Sequence, residues 1–95
     1  MNPRKRSSVE TALERKGFQK NQRDHRKFIY YMDSGEKTAV WTKTSHGSGH
    51  RNISPINLGK MAKQCKLDKN DFERLLDCPL SREDYQSRLI QENLL

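Results

Sequence analysis

The sequence predicts an α+β domain: a small antiparallel three-stranded sheet with helices packed on one face, in the order α-β-β-β-α, followed by C-terminal helices. Three observations lead there. Val9, Ala12 and Leu13 form an apolar stripe at helical spacing. Two aromatic and β-branched runs, Lys27 to Met32 and Thr38 to Thr42, flank a short turn that contains Gly35. Three further cap signals divide the second half into helices. The 95 residues leave room for one core and not two. With 32% hydrophobic against 33% charged residues, that core is thin and rests on Phe18, Phe28, Tyr30, Tyr31, Trp41, Phe72 and Tyr85. Self-association as a homo-oligomer, or a partner protein, could supplement it.

Residues 1–7 are polar and basic and are expected to be disordered. Ser7 and Glu10 stand at the spacing of a capping box, so a helix is predicted over about 8–16, with Gly17 as its left-handed terminator. Phe18 begins a polar stretch that leads into the first hairpin strand. Asp33-Ser34-Gly35-Glu36 reads as the turn. With Ser34 and Gly35 at its centre, Ile29 faces Val40, Phe28 faces Trp41, and His25 faces Thr44, with His46 a diagonal step away at about 7–8 Å. His46-Gly47-Ser48-Gly49-His50 is a loop by composition. Ser54-Pro55 then resembles an N-cap followed by proline at the first helical position, opening a helix to about residue 66. Asp68 caps the next helix, whose stripe is Phe72, Leu75 and Leu76, and Cys78-Pro79 ends it because a residue before proline avoids the α region. Ser81 and Asp84 mark a last cap before Tyr85, Leu89 and Ile90. Residues 8–78 thus form the domain, and 79–95 a C-terminal helical extension.

Charge narrows the function. The net charge is +7, and it is uneven: nine basic against three acidic residues in 1–31, six against two in 32–66, and four against seven in 67–95. A cationic body of this kind attracts polyanions, nucleic acid first among them. An anionic membrane surface is a weaker candidate, since no long apolar amphipathic stretch is present to insert. No apolar run approaches the length of a transmembrane helix, and none follows Met1 to Ser8 as in a signal peptide. A cytoplasmic protein is expected, with Cys65 and Cys78 as free thiols.

The hairpin register brings His25 and His46 to its open end, beside Arg23, Arg26, Lys27, Lys43, His50 and Arg51 as RNA-contacting residues. That set suits metal-independent RNA cleavage. A neutral imidazole takes the proton of the ribose 2′-hydroxyl, a second acid protonates the leaving 5′-oxygen, and lysine or arginine stabilises the charge that develops on the phosphoryl oxygens. Histidine suits either role because its pKa of about 6.5 populates both forms near neutrality. Each histidine could equally be an exposed or loop-capping residue. No cofactor or metal is expected: Gly47, Ser48 and Gly49 prevent a helical His46/His50 ligand face, and no cysteine or carboxylate completes a set nearby. Phe28, Tyr30, Tyr31 and Trp41 include candidates for base stacking, with at least half of them assigned to the core.

The order of these motifs resembles the HicA-type toxin family, small ribonucleases of toxin–antitoxin pairs with a double-stranded-RNA-binding-domain-like fold. Leu13-Glu14-Arg15-Lys16-Gly17-Phe18 is similar to the family's first helix ending in Gly-Phe. His25 with Phe28 and Tyr30 resembles its histidine-bearing strand, and Ala39-Val40-Trp41 followed by His46 its third strand. Asn57-Leu58-Gly59 through Phe72-Glu73-Arg74-Leu75-Leu76 resembles its second helix and closing segment. The resemblance covers about residues 9–76. It implies an mRNA endoribonuclease with His25 as the catalytic residue, neutralised by an antitoxin partner. Arg23-Asp24 stands where the family carries Gly-Ser, and its carboxylate opposes an incoming phosphate. Two other readings remain: a non-catalytic RNA-binding module, and a protein-interaction module docking through Phe72, Leu76, Tyr85 and Leu89.

Overall fold

The computed structural model describes residues 2–24, 26–44 and 51–95. Their elements run β1 (Arg4–Lys5), α1 (Arg6–Arg15), β2 (Phe18–Lys20), β3 (Lys27–Tyr31), β4 (Lys37–Lys43), β5 (Asn52–Ile53), α2 (Pro55–Gln64), α3 (Lys69–Asp77) and α4 (Arg82–Gln91). The fold class is as predicted: β2, β3 and β4 form an antiparallel three-stranded sheet in that order, with four helices.

The N-terminus differs from expectation. Arg4 and Lys5 pair with Ile53 and Asn52 in a second, two-stranded sheet, and the Arg4 guanidinium forks onto both oxygens of Asp77 at 2.7 Å. That bond holds the Asp77 carboxyl below its ordinary range. Helix α1 therefore starts at Arg6, whose N–H is satisfied by the Arg51 carbonyl at 2.8 Å. Ser7 and Glu10 lie inside the helix, not in a capping box, and the N-cap Lys5 makes no side-chain cap bond. A tertiary partner has replaced the local cap. At the other end Gly17 takes φ +104° as the sequence predicts.

The hairpin register also differs, and for a definable reason. Met32 and Glu36 flank a three-residue loop, with Met32 N–H donating to the Glu36 carbonyl at 2.9 Å and Gly35 N–H to the Met32 carbonyl at 2.8 Å. Gly35, at φ +92°, supplies the left-handed residue such a loop requires. Tyr31 accordingly pairs with Lys37. Further along, Thr38, Ala39 and Val40 all lie opposite Tyr30, after which the ladder resumes as Ile29 with Trp41, Phe28 with Thr42 and Lys27 with Lys43. The Thr38 hydroxyl stabilises this bulge by donating to the Tyr30 carbonyl at 2.7 Å and accepting from Val40 N–H at 3.1 Å. Beyond the bulge each pair is one residue out from the expected one. A shift of one residue reverses the face of a side chain, so Phe28 meets Thr42 in the core while Trp41 turns to the opposite face.

The core contains Val9, Leu13, Phe18, Phe28, Tyr30, Val40, Leu58, Phe72 and Leu75, all essentially inaccessible. The helix caps read from sequence are present: Ser54, Asp68 and Ser81 accept the N–H of Asn57, Asp71 and Asp84 at 3.3, 2.7 and 3.1 Å. Cys78, at φ +84°, ends α3 in the left-handed region ahead of Pro79. Helix α4 joins the same core. Tyr85 lies within 6.0 Å of Phe18 and 5.2 Å of Tyr30, ring centroid to centroid, and its hydroxyl donates to the Cys65 carbonyl at 2.8 Å. Gln86 of α4 also accepts from Tyr30 hydroxyl and Asp33 N–H at 3.2 and 2.9 Å, fixing the hairpin turn against the helix.

Candidate nucleic-acid interface

The open end of the hairpin is shaped by short polar side chains. Asn21 Oδ1 accepts from the N–H groups of Arg23 and Asp24 at 2.8 and 3.1 Å, and Asp24 Oδ1 accepts from Arg26 N–H at 3.1 Å. These are the local bonds that Asn and Asp offer a turn in place of a ladder. Lys27 N–H donates to the Asp24 carbonyl at 3.0 Å, and Thr44 N–H to the Arg26 carbonyl at 2.9 Å. Arg26 therefore stands opposite Thr44, in the place expected for His25; the turn, which shifts the register by one, and the bulge, which shifts it back by two, together account for it. His25, His46 and His50 lie outside the described residues. Thr44 is buried, and its hydroxyl reaches Glu10 of α1 at 3.1 Å, tying the strand end to the first helix.

Asp24 sits between two cations. Lys43 Nζ is 3.0 Å from one of its oxygens and Arg26 Nε 3.3 Å from the other. The hydrogen bond from Lys43, then that from Arg26 N–H, holds the Asp24 carboxyl down to about 2. Two positive charges against one negative leave the cluster cationic. The carboxylate that the sequence places where a phosphate would approach is thus already neutralised by its neighbours.

On the outer face of the sheet, Gln19, Ile29 and Trp41 form one cross-strand row and Lys27 with Lys43 the next. Lysines placed directly opposite one another repel. Here each has another partner: Lys43 takes Asp24, and Lys27 sets its ammonium 4.9 Å from the centroid of the Trp41 ring. Trp41 is 37% exposed. Where α2 meets the edge of β4, Lys43, Thr44, Asn57, Lys60 and Gln64 line a recess of about 190 Å³. Gln64 Oε1 ties α2 to β4 by accepting from the Thr42 hydroxyl at 2.7 Å and Lys43 N–H at 3.1 Å.

Of the residues singled out in the sequence, Arg26 and Lys43 meet through Asp24, Lys27 pairs with Lys43, and Arg23 is exposed in the same loop. Arg51 is exposed just before β5, its carbonyl holding Arg6. Of the aromatic candidates, Phe28 and Tyr30 belong to the core, while Tyr31 is half-buried and Trp41 faces outward. Asn57, Lys60 and Gln64 were not singled out, although their i, i+3, i+7 spacing marks one polar stripe of α2. Among the described residues, no three or more His, Cys, Asp or Glu side chains are grouped to hold a metal ion, and no helix is long and apolar enough to cross a membrane. Phe72, Leu76, Tyr85 and Leu89 are buried inside the domain and so offer no docking surface. Compared with known proteins, the chain matches no protein family, no curated protein and no solved structure.

Proposed function

We propose that this domain binds RNA through the open end and outer face of its hairpin. The observation that carries the reading is the grouping of Arg26 and Lys43 around a neutralised Asp24, next to Lys27 and an exposed Trp41. Cations position a phosphate backbone and an exposed ring can take a base. The basic balance of residues 1–66 favours the same class of partner.

A finer reading is a toxin-like, metal-independent mRNA endoribonuclease in which His25 and His46 act as base and acid and an antitoxin covers the basic face. Its support is the order of motifs that resembles the HicA-type toxins, together with the neutralised Asp24, which removes the electrostatic objection to a phosphate there. Incubating labelled RNA with the protein and with His25→Ala, in EDTA, separates these readings. Cleavage by the wild type that is lost in the variant supports the ribonuclease. Salt-sensitive retention of RNA that stays intact leaves the binding module, and no retention at low salt removes both.

A further inference from the structure

Resting on the RNA-binding reading, we propose that the site takes single-stranded RNA, with one base stacked on Trp41 and an adjoining phosphate held by Lys43 and Lys60. The three-residue turn, which moves the register by one, puts the chain's single tryptophan on the outer face of the sheet, and the bulge at Thr38, a shift of two, leaves it there. A ring held on a strand of a sheet is a fixed platform, and it serves an unpaired base, because the bases of a duplex are stacked on each other and its A-form major groove is too narrow for side chains.

The surroundings match a backbone that runs past such a base. Lys43 lies two residues along the same strand and the same face, about 7 Å from Trp41 at the rise of a strand. It also lines the recess with Lys60 and Asn57. Lys43 and Lys60 each carry an ammonium and Asn57 a side-chain amide, groups that donate to phosphate oxygens. Among the described residues Asp24 is the carboxylate paired with Lys43, and with Lys43 exposed and Asp24 half-buried a phosphate can compete for the lysine. Lys27 now covers the indole. A cation–π contact at an exposed site is weaker than base–aromatic stacking, so an incoming base displaces the ammonium, which then has a phosphate to neutralise.

The single tryptophan makes the test direct. The full chain is titrated at low salt with a short oligouridylate and with a short RNA duplex, following both tryptophan emission and the polarisation of labelled RNA. The oligouridylate is expected to quench Trp41, and the duplex to bind more weakly and leave the emission unchanged. Trp41→Ala should weaken oligouridylate binding by roughly fivefold to 150-fold, while Trp41→Phe restores most of it, and Lys60→Ala should reduce the salt slope of binding by about 0.7, the share of one phosphate contact on a single strand. Far-ultraviolet circular dichroism checks that each variant folds. Oligouridylate binding with unchanged emission and undiminished affinity in Trp41→Ala would overturn this inference and leave the RNA-binding reading standing. So would a duplex that binds more tightly and quenches Trp41. Failure of both RNAs to bind overturns the functional reading and this inference together.

Discussion

Lys27 and Trp41 meet diagonally across two strands, the ammonium 4.9 Å from the indole centroid, although the ladder pairs Lys27 with Lys43 and Trp41 with Ile29. Diagonal neighbours at about 7–8 Å are within reach of long side chains. The three-residue turn sets the alternation that puts both residues on the outer face, and the Thr38 bulge then slides the ladder by two residues, so that Lys27 pairs with Lys43 and reaches Trp41 diagonally. The same register sets Lys43 beside Asp24. The turn and the bulge together therefore assemble the cationic and aromatic parts of the candidate interface.

Removing the hydroxyl that holds the bulge tests that dependence. Thr38→Ala loses a donor to the Tyr30 carbonyl and an acceptor for Val40 N–H, and should cost about 1–3 kcal/mol, or about 4–8 °C in Tm for each kcal/mol in a domain of this size. Thr38→Ser should retain most of the stability. Thermal unfolding of the two variants checks this, and equal melting of Thr38→Ala and wild type would remove the hydroxyl from the account.

Gly17→Ala should be among the more damaging small substitutions. The position has φ +104°, and an added Cβ would lie 2.9 Å from the Tyr30 ring and 2.9 Å from Arg82 Nε. Left-handed strain alone costs about 1–3 kcal/mol. Denaturant unfolding should show at least that loss with an unchanged slope.

The two cysteines should differ sharply in reactivity. Cys78 is exposed, whereas Cys65 is buried and its thiol is pushed up to about 12 by desolvation. A thiol-specific chromogenic reagent should titrate one cysteine rapidly, none rapidly in Cys78→Ser, and both after denaturation. Burial also raises the Tyr85 hydroxyl above its ordinary 10.0. Both groups hold their protons more tightly folded than unfolded. Their contribution is therefore complete below the ordinary thiol value of 9.0 and lost as pH rises toward 12. Melting temperature should fall across that alkaline window, and a flat profile would contradict the assignment.

Asp24→Asn should keep the turn, since an amide oxygen can still accept from Arg26 N–H, while freeing Lys43 and the Arg26 side chain from their anion. RNA affinity at low salt should rise severalfold, and the gain should vanish at high salt as screening removes it. Weaker binding would mean that Asp24 orients the cations instead of competing for them.

Much of this was legible in the sequence because it is local. Ser54, Asp68 and Ser81 announce three helix starts by chemistry that acts within three residues, and Gly17 and Gly35 announce positive φ. What was not legible depends on distant partners. The pairing of Arg4-Lys5 with Asn52-Ile53 answers donors that no nearby side chain could reveal, and it displaced the expected cap at Ser7. The three-residue turn and the Thr38 bulge together moved the register and sent Trp41 outward, because strand alternation fixes which residues share a face but not which face is buried. Arg26, Lys27 and Lys43 were identifiable as a cationic group. Lys60 and Asn57 were hidden in an amphipathic helix whose polar stripe has no distinguishing composition.

The central claim is that the hairpin's basic and aromatic face binds RNA, and it is tested most directly by retention of labelled single-stranded RNA as a function of salt. The expected result is binding at low salt that falls as salt rises, by a slope of about 0.7 per phosphate neutralised, with Lys43→Ala weaker and shallower than wild type. Absence of retention at low salt, or binding indifferent to both salt and Lys43, would contradict it.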